Sequence, residues 1–338
     1  MNNDKKIFKL PDGAIEIVRM RTGSALYGTQ HPDSDVDIKS VFFDPNNINE
    51  SPDIVLSTKE ESKKRNVAGD IDYHAVNLHK FLEHISRGKM LFLEMLFAPE
   101  SLTLFEPHPI WKDIKQKRYL LFGRYSSDFN SFPKKTMMEV GASKERIDLL
   151  EICSDWFLKQ SKNNDKIYSI INEFQNFVKE NVLYKYNDIT ASIGIFKKED
   201  NYFLSICQSR INLNDNIKTA AQNYSKMAAR YKQLLNNPSD RNLRKIAHTI
   251  RTYRQSYELL MNGYISLPRN DEEIKRLKAI KAGDKDLVNE AFSDILNSQS
   301  ITSALQNISP LRDHADENAI NSILNDAKLT FVGPNFSL

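Results

Sequence analysis

The chain has 338 residues, enough for about two domains at roughly 150 residues each. Its apolar content of 40% can supply a core, and its 47 basic and 44 acidic residues leave a net charge of +3, which does not by itself demand nucleic acid. Two cysteines, Cys153 and Cys207, exclude a disulfide framework, and no run approaches the ~20 apolar residues of a membrane span. We therefore expect a cytoplasmic protein that does not bind membranes.

The N-terminal part of the chain mixes strand and helix patterns. Residues 14–20 and 35–43 alternate in the manner of strands, and residues 69–76 form a third candidate strand. Residues 77–86 and 89–97 instead carry apolar side chains at helical spacing. A mixed α/β domain is therefore predicted up to residue 105.

Beyond residue 110 the pattern is mostly helical. Residues 192–209 interrupt it and are interpreted as a hairpin or an irregular insertion. The predicted fold is therefore α+β, with a small mixed-sheet domain over residues 1–105 followed by a mostly α-helical domain over residues 106–338.

Two aspartates stand close together beside an apolar strand. Asp35 and Asp37 are two residues apart, so on a strand they share one face while Val36 and Ile38 point to the other. Adjacent carboxylates repel each other. Two neighbouring aspartates without any other motif usually lie on a solvated surface. A divalent cation can also neutralise their repulsion, and Mg²⁺ is normally held by one or two carboxylates plus substrate phosphates.

A Gly-Ser pair precedes the two acids. Gly23 lets the backbone approach a phosphate closely, and the N–H groups of such a turn, with the hydroxyl of Ser24, can cradle the anion. Either feature alone is weak, but a strand, a Gly-Ser pair, a short loop and an apolar D-x-D form a composite pattern. That composite predicts a metal and triphosphate site.

The composite resembles the catalytic signature of the DNA polymerase β-like nucleotidyltransferase superfamily, and most closely its branch of nucleotidyltransferases associated with RNA repair. The resemblance is carried by residues 23–37 (GSALYGTQHPDSDVD), 72–100 and 245–284. The organisation is also similar to that of proteins in large tailed bacteriophages, for which the location would be the host cytoplasm.

The resemblance implies roles for particular residues. Gly23 and Ser24 would hold the triphosphate of an NTP substrate, and Asp35 and Asp37 would hold Mg²⁺ or Mn²⁺. The superfamily usually has a third metal-binding and catalytic carboxylate on a neighbouring strand. Asp72 is the predicted third carboxylate.

Two further assignments follow from the same resemblance. Asp70 lies on the same strand face as Asp72 and is the alternative third carboxylate. His248 and Arg251 share one face of a probable helix, and by the resemblance they would contact the phosphate or the acceptor.

The resemblance implies an enzyme that transfers an NMP from an NTP, such as ATP, to a hydroxyl and releases pyrophosphate. The expected acceptor is RNA, especially a tRNA or a cleaved end, and the helical domain would complete the cleft and bind it. Two alternative acceptors stay open. One is a protein hydroxyl, as in nucleotidylating enzymes of toxin–antitoxin systems, and the other is a small molecule. A non-catalytic nucleotide sensor or scaffold is the alternative from a different class.

Overall fold

A computed structural model of the chain describes residues 9–32, 34–49, 52–58, 70–129, 144–160, 165–182, 193–207 and 209–333. The chain forms two compact units. Unit 1 comprises Met1–Ser131, Thr252–Lys278 and Ser300–Leu338, and unit 2 comprises Phe132–Arg251 and Ala279–Gln299. The expected division at residue 105 stays a prediction.

The helices and strands are as follows in chain order. The strands are β1 (Ile15–Arg21), β2 (Val36–Phe43), β3 (Ile54–Ser57), β4 (Ile71–Asn77), β5 (Ile193–Lys198), β6 (Asn201–Ile206) and β7 (Ser209–Asn212). The helices are α1 (Gly23–Tyr27), α2 (Leu78–Ser86), α3 (Met90–Phe97), α4 (Pro109–Gln116), α5 (Lys144–Gln160), α6 (Ile171–Asn181), α7 (Ile217–Asn236), α8 (Asp240–Asn262), α9 (Asp271–Ala282), α10 (Lys285–Ile308) and α11 (Glu317–Phe331). Single 3₁₀ turns lie at Glu100–Leu102, Arg118–Leu120 and Ile167–Ile170.

Unit 1 contains a mixed sheet with the strand order β1-β2-β4-β3. β2 is antiparallel to β1 and parallel to β4, and β3 is antiparallel to β4. Because side chains alternate along a strand, the two faces differ. Ile38 and Tyr73 belong to a small apolar cluster on one face, whereas Val41 and Val76 join the main core on the other. Asp37 lies on the Val41 face, near the start of β2.

Helix α2 illustrates how the sequence produces the layer that covers this face. The Asn77 side chain accepts a hydrogen bond from the His79 N–H at 2.9 Å and caps the helix. The apolar residues Leu78, Phe81 and Ile85 then recur at helical spacing and are fully buried. The helix therefore packs its apolar side into the main core of unit 1.

Unit 2 is built from helices and the antiparallel sheet β5-β6-β7. Its core contains buried aromatic side chains from α5, α6 and α7. The rings of Phe157 and Phe174 stack with centroids 4.8 Å apart, and those of Phe157 and Tyr224 stack at 5.9 Å. These contacts tie the three helices to one another.

The α+β class predicted from the sequence is confirmed. Residues 192–209, left open as a hairpin or insertion, contain the antiparallel pair β5 and β6. Strand β3 was not predicted. Within the described part of the chain, no helix combines the length and apolar character needed to cross a lipid bilayer.

Candidate metal and nucleotide site

Three carboxylates meet at the start of the parallel strands β2 and β4. Asp37 and Asp72 are paired directly across these strands, and Asp35 precedes β2 by one residue. One carboxylate oxygen from each of the three lies within 4.8 Å of the others, and all three residues are partly buried. The parallel register therefore places the acid from the third predicted strand beside the D-x-D pair.

Gly23 is required where it stands. Its φ is +57°, in the left-handed region that favours glycine. A Cβ added to it would lie 1.9 Å from Oδ2 of Asp37, closer than any real contact. The Asp37 carboxylate therefore rests directly against the backbone of the Gly-Ser segment, and no other residue type fits this arrangement.

The Gly-Ser segment forms the short helix α1, which is pinned to β2 at its start. The Thr22 N–H donates to the Asp37 carbonyl oxygen at 2.8 Å. The Thr22 side chain makes no capping hydrogen bond to α1. At the other end, the Thr29 N–H donates to the Ser24 carbonyl oxygen at 2.9 Å, and Gly28 adopts a φ of +74°. Ser24 itself is partly exposed.

The structure separates the two candidates for the third carboxylate. Asp72 joins Asp35 and Asp37, and its Oδ1 accepts a hydrogen bond from the Ser57 hydroxyl at 2.6 Å. Asp70 is buried and does not belong to this group of three carboxylates. Its Oδ1 accepts a long hydrogen bond, 3.5 Å, from the Thr58 hydroxyl. The catalytic role of Asp72 stays a prediction, but its position suits that role and the position of Asp70 does not.

The three acids have the chemistry of a cation site. Like charges this close raise the cost of ionising one another, and a divalent cation relieves that cost. Carboxylate oxygens are the ligands that Mg²⁺ and Mn²⁺ prefer. The residues therefore fit such an ion, with the Gly-Ser segment alongside as a place for phosphate oxygens.

A second charged group lies further along the same face of β4. Asp53 forms an ion pair with Lys80 at 2.7 Å and a hydrogen bond with His74 at 3.2 Å. Burial raises the pKa of Asp53, but the interactions with Lys80 and His74 outweigh it and hold that pKa below its usual value. Burial also lowers the pKa of His74 below 6.5, an effect larger than the opposing one of Asp53.

The structure places His248 and Arg251 in unit 2, on α8. A guanidinium nitrogen of Arg251 lies 2.6 Å from Nδ1 of His248, and Arg251 is buried. The two side chains thus contact each other, as their i and i+3 spacing predicts. Their contact with nucleotide or acceptor stays a prediction.

Sequence reasoning missed other polar residues of this region. Ser57 lies on β3, directly across from Asp72, and nothing in its sequence context marks it. Glu94 and Lys39 are buried and lie 3.6 Å apart. Glu94 carried a readable signal, because it is the single acid in the apolar helix MLFLEMLF.

Three clustered carboxylates beside a Gly-Ser segment are the arrangement that metal-dependent phosphoryl or nucleotidyl transfer would require. Residues 15–145 match the model of the family described as RlaP, RNA repair pathway DNA polymerase beta family. This match confirms the family resemblance predicted from the sequence. The family implies a nucleotidyltransferase of the polymerase beta type acting in RNA repair.

The chain is also similar to a curated protein of enterobacteria phage T4, described as an uncharacterized 38.9 kDa protein in the nrdC-mobD intergenic region. The two are 27% identical over 143 residues, which are 40% of this chain and 41% of the phage protein. The match thus spans about two fifths of the length of that relative. It supports the phage association predicted from the sequence. No solved structure matches the chain.

Proposed function

We propose that this protein is a divalent-metal-dependent nucleotidyltransferase that moves an NMP from an NTP to a hydroxyl of RNA. The observation that carries the proposal is the contact between the Gly-Ser segment and the acid cluster. Asp37 lies against Gly23, and its carboxylate is also close enough to those of Asp35 and Asp72 for the three to bind one cation. A triphosphate held by the first group would therefore reach a cation held by the second.

The residues divide the work as follows in this proposal. Asp35 and Asp37 hold the cation, and the backbone of Gly23 and the hydroxyl of Ser24 orient the triphosphate. A bound divalent cation would supply charge neutralisation at the phosphates. Asp72, oriented by the Ser57 hydroxyl, accepts the proton of the attacking hydroxyl.

The transfer itself is an in-line displacement. The oxygen of the acceptor hydroxyl bonds to the α-phosphorus of the NTP, and the bond from that phosphorus to the oxygen bridging to the β-phosphate breaks. Pyrophosphate leaves with the electron pair of the broken bond. The products are the nucleotidylated acceptor and pyrophosphate.

The remaining parts of the proposal concern the acceptor. RNA, including tRNA, is favoured because the matched family is described as belonging to an RNA repair pathway. We further propose that the helical region, residues 106–338, binds the acceptor, and that His248 and Arg251 contact phosphate. The T4 relative favours action in the cytoplasm of a phage-infected cell.

The test supplies each of the four α-³²P-labelled NTPs with Mg²⁺ or Mn²⁺ and a pool of tRNA and cleaved RNA. Wild type is compared with Asp37→Asn, and Asp113→Asn, a partly exposed acid on α4, is the matched control. We expect label on RNA with wild type and Asp113→Asn and none with Asp37→Asn. The labelled nucleotide also names the NTP preference.

Other outcomes lead elsewhere. Label on protein that Asp37→Asn abolishes would replace RNA by a protein acceptor. NTP binding without any labelled product would replace the enzyme by a nucleotide sensor. Label that persists in Asp37→Asn would remove the acid cluster from the mechanism.

A further inference from the structure

A buried carboxylate lies behind the Gly-Ser segment. Glu94 on α3 is 1% exposed, and its two oxygens accept hydrogen bonds from the Tyr27 hydroxyl at 2.7 and 2.8 Å. The ammonium of Lys39 lies 3.6 Å from Glu94, and the amide nitrogen of Gln255 lies 3.5 Å from it. All four residues are buried, so this polar group is enclosed by the core of unit 1.

The four residues come from four separate elements, α1, β2, α3 and α8. Tyr27 is the last residue of α1, which carries Gly23 and Ser24. Lys39 follows Asp37 on the same face of β2, and its Nζ also donates to the Leu91 carbonyl oxygen at 3.1 Å. Glu94 therefore contacts both α1, which carries the Gly-Ser segment, and β2, which carries Asp37.

A buried charge in an otherwise apolar helix needs a reason, because an apolar side chain of similar size is usually at least as stabilising. Lys39 compensates the charge of Glu94. Neutralising the charge of Glu94 does not require the Tyr27 hydroxyl, yet this hydroxyl donates hydrogen bonds to both oxygens of the carboxylate. This paired contact to the end of α1 is the feature that an apolar residue could not supply.

Helix α1 also depends on outside contacts for its position. It has five residues, and helices shorter than about 12 residues are not stable alone in water. At its C-terminal end the Arg269 N–H donates to the Tyr27 carbonyl oxygen at 3.3 Å. Gly28 packs so closely that an added Cβ would lie 3.0 Å from Ile274.

We propose that Glu94 is a positioning residue. Through Tyr27 it holds α1, and through Lys39 it holds β2, so that Gly23 and Ser24 stay in register with Asp37. The consequence for triphosphate binding rests on the function proposed above. The placement of α1 does not rest on it and is measured separately.

Placement is measured by hydrogen exchange of the peptide covering residues 22–31 in ligand-free protein. Tyr27→Phe keeps the ring and removes the hydroxyl, and Tyr73→Phe removes a buried hydroxyl on the opposite face of the sheet. Because hydrogen bonds to charged groups are the stronger ones, we expect Tyr27→Phe to speed exchange about 10-fold or more and Tyr73→Phe to leave it unchanged. Equal exchange in Tyr27→Phe and wild type would overturn the proposal.

The nucleotide side is measured by Mg·ATP affinity with a fluorescent analogue and by Mn²⁺ affinity with electron paramagnetic resonance. Tyr27→Phe is expected to weaken nucleotide binding about 10-fold while Mn²⁺ affinity stays within about twofold. Glu94→Gln, which keeps a hydrogen-bond acceptor, is expected to retain more nucleotide affinity than Glu94→Ala. If Glu94 had only a structural role, these variants would lose thermal stability without this difference in nucleotide affinity.

The two proposals fail in different ways. If wild type binds neither Mn²⁺ nor any NTP, the proposed function is wrong, and the exchange experiment still decides the role of Glu94. If wild type binds both and Tyr27→Phe matches it in affinity and in exchange, Glu94 is not a positioning residue and the proposed function stands.

Discussion

At the scale of single residues, the three clustered carboxylates repel one another, and a bound divalent cation would relieve that repulsion. Asp35 shares a group with two other carboxylates, and two like charges about 5 Å apart repel by about 1 kcal/mol in water. We expect Asp35→Asn to raise the melting temperature of metal-free protein by a few degrees, at about 2–4 °C per kcal/mol. The same variant is expected to lose the stabilisation that Mn²⁺ gives to wild type. Calorimetry with EDTA and then with Mn²⁺ measures both effects, and equal Mn²⁺ stabilisation of the two proteins would contradict the cation site.

Gly23→Ala tests the close approach of Asp37 to the backbone. The left-handed backbone at residue 23 costs an alanine about 1–2 kcal/mol. The added Cβ would also occupy the position of Asp37 Oδ2, so the carboxylate has to move. We expect lower stability in urea and Mn²⁺ affinity reduced at least tenfold.

The matched control for that variant is Gly194→Ala on β5. An added Cβ there has no atom within 4 Å, so the substitution adds no contact. We expect its Mn²⁺ affinity to equal that of wild type. A Gly23→Ala protein that binds Mn²⁺ as wild type does would show that the Asp37 position is not set by residue 23.

Three histidines of unit 1, of which His84 is buried and the other two are partly buried, predict that stability depends on pH. Burial lowers the pKa of His74, His84 and His108 below their ordinary value of 6.5. Below pH 6.5 the unfolded chain therefore takes up protons that the folded chain does not, so stability falls as the pH falls through the folded-state values. The lowered pKa of Asp53 also makes stability fall as the pH falls, but only below about pH 3.8.

We therefore expect the urea midpoint to fall between pH 7.5 and pH 5.5. His84→Gln should reduce that fall, and His31→Gln, at an exposed position, should not change it. A midpoint independent of pH over this interval would contradict the lowered pKa of these three histidines.

At the scale of elements, periodicity predicted the strands and helices that bury an apolar face. β1, β2 and α2 follow directly from alternation or helical spacing, because each packs one face on a core. α1 was expected only as a Gly-Ser turn, since five residues carry no readable period. β3 was not predicted for a related reason. Its residues Val55 and Leu56 are exposed, so the strand shows no alternation between buried apolar and exposed polar residues.

The candidate site was predictable in part. The D-x-D spacing placed Asp35 and Asp37 on one face, but only the parallel register of β2 and β4 brings Asp72 opposite Asp37. Sequence spacing cannot fix that register, because the strands are separated by a long connection. The same limit hid Ser57, whose place beside Asp72 depends on a second, antiparallel pairing.

The packing of α5 against α6 and α7 gives a prediction for unit 2. Phe157 is fully buried and stacks on Phe174 and Tyr224. Phe157→Ala removes these contacts and leaves a cavity, which typically costs about 3–5 kcal/mol. We expect a urea unfolding transition shifted to lower concentration. Tyr168→Ala, at a position 58% exposed, is the control and should unfold as wild type does.

At the scale of the whole molecule, unit 1 is assembled from three separate stretches of chain. Leu259 and Ile265 from the second stretch and Leu311 and Ile323 from the third belong to the same core as the helices next to the sheet. Sequence patterns showed that these residues are apolar and helical. They could not show which core receives them, because that depends on contacts between residues far apart in the chain.

This assembly predicts that residues 1–131 do not fold alone, although they contain the acid cluster and most of the family match. Each large apolar side chain lost from a core removes about 1.5–3 kcal/mol of burial, so the loss of the four named above is comparable to the whole stability of a domain, about 5–15 kcal/mol. The fragment would also lose the amide of Gln255 from the buried carboxylate of Glu94. We expect the full chain to melt cooperatively by circular dichroism and the fragment to show no cooperative melt, to bind a hydrophobic dye and to bind no Mn²⁺. A fragment that melts cooperatively and binds Mn²⁺ would show instead that the N-terminal stretch is an autonomous domain and that the later stretches only add to it.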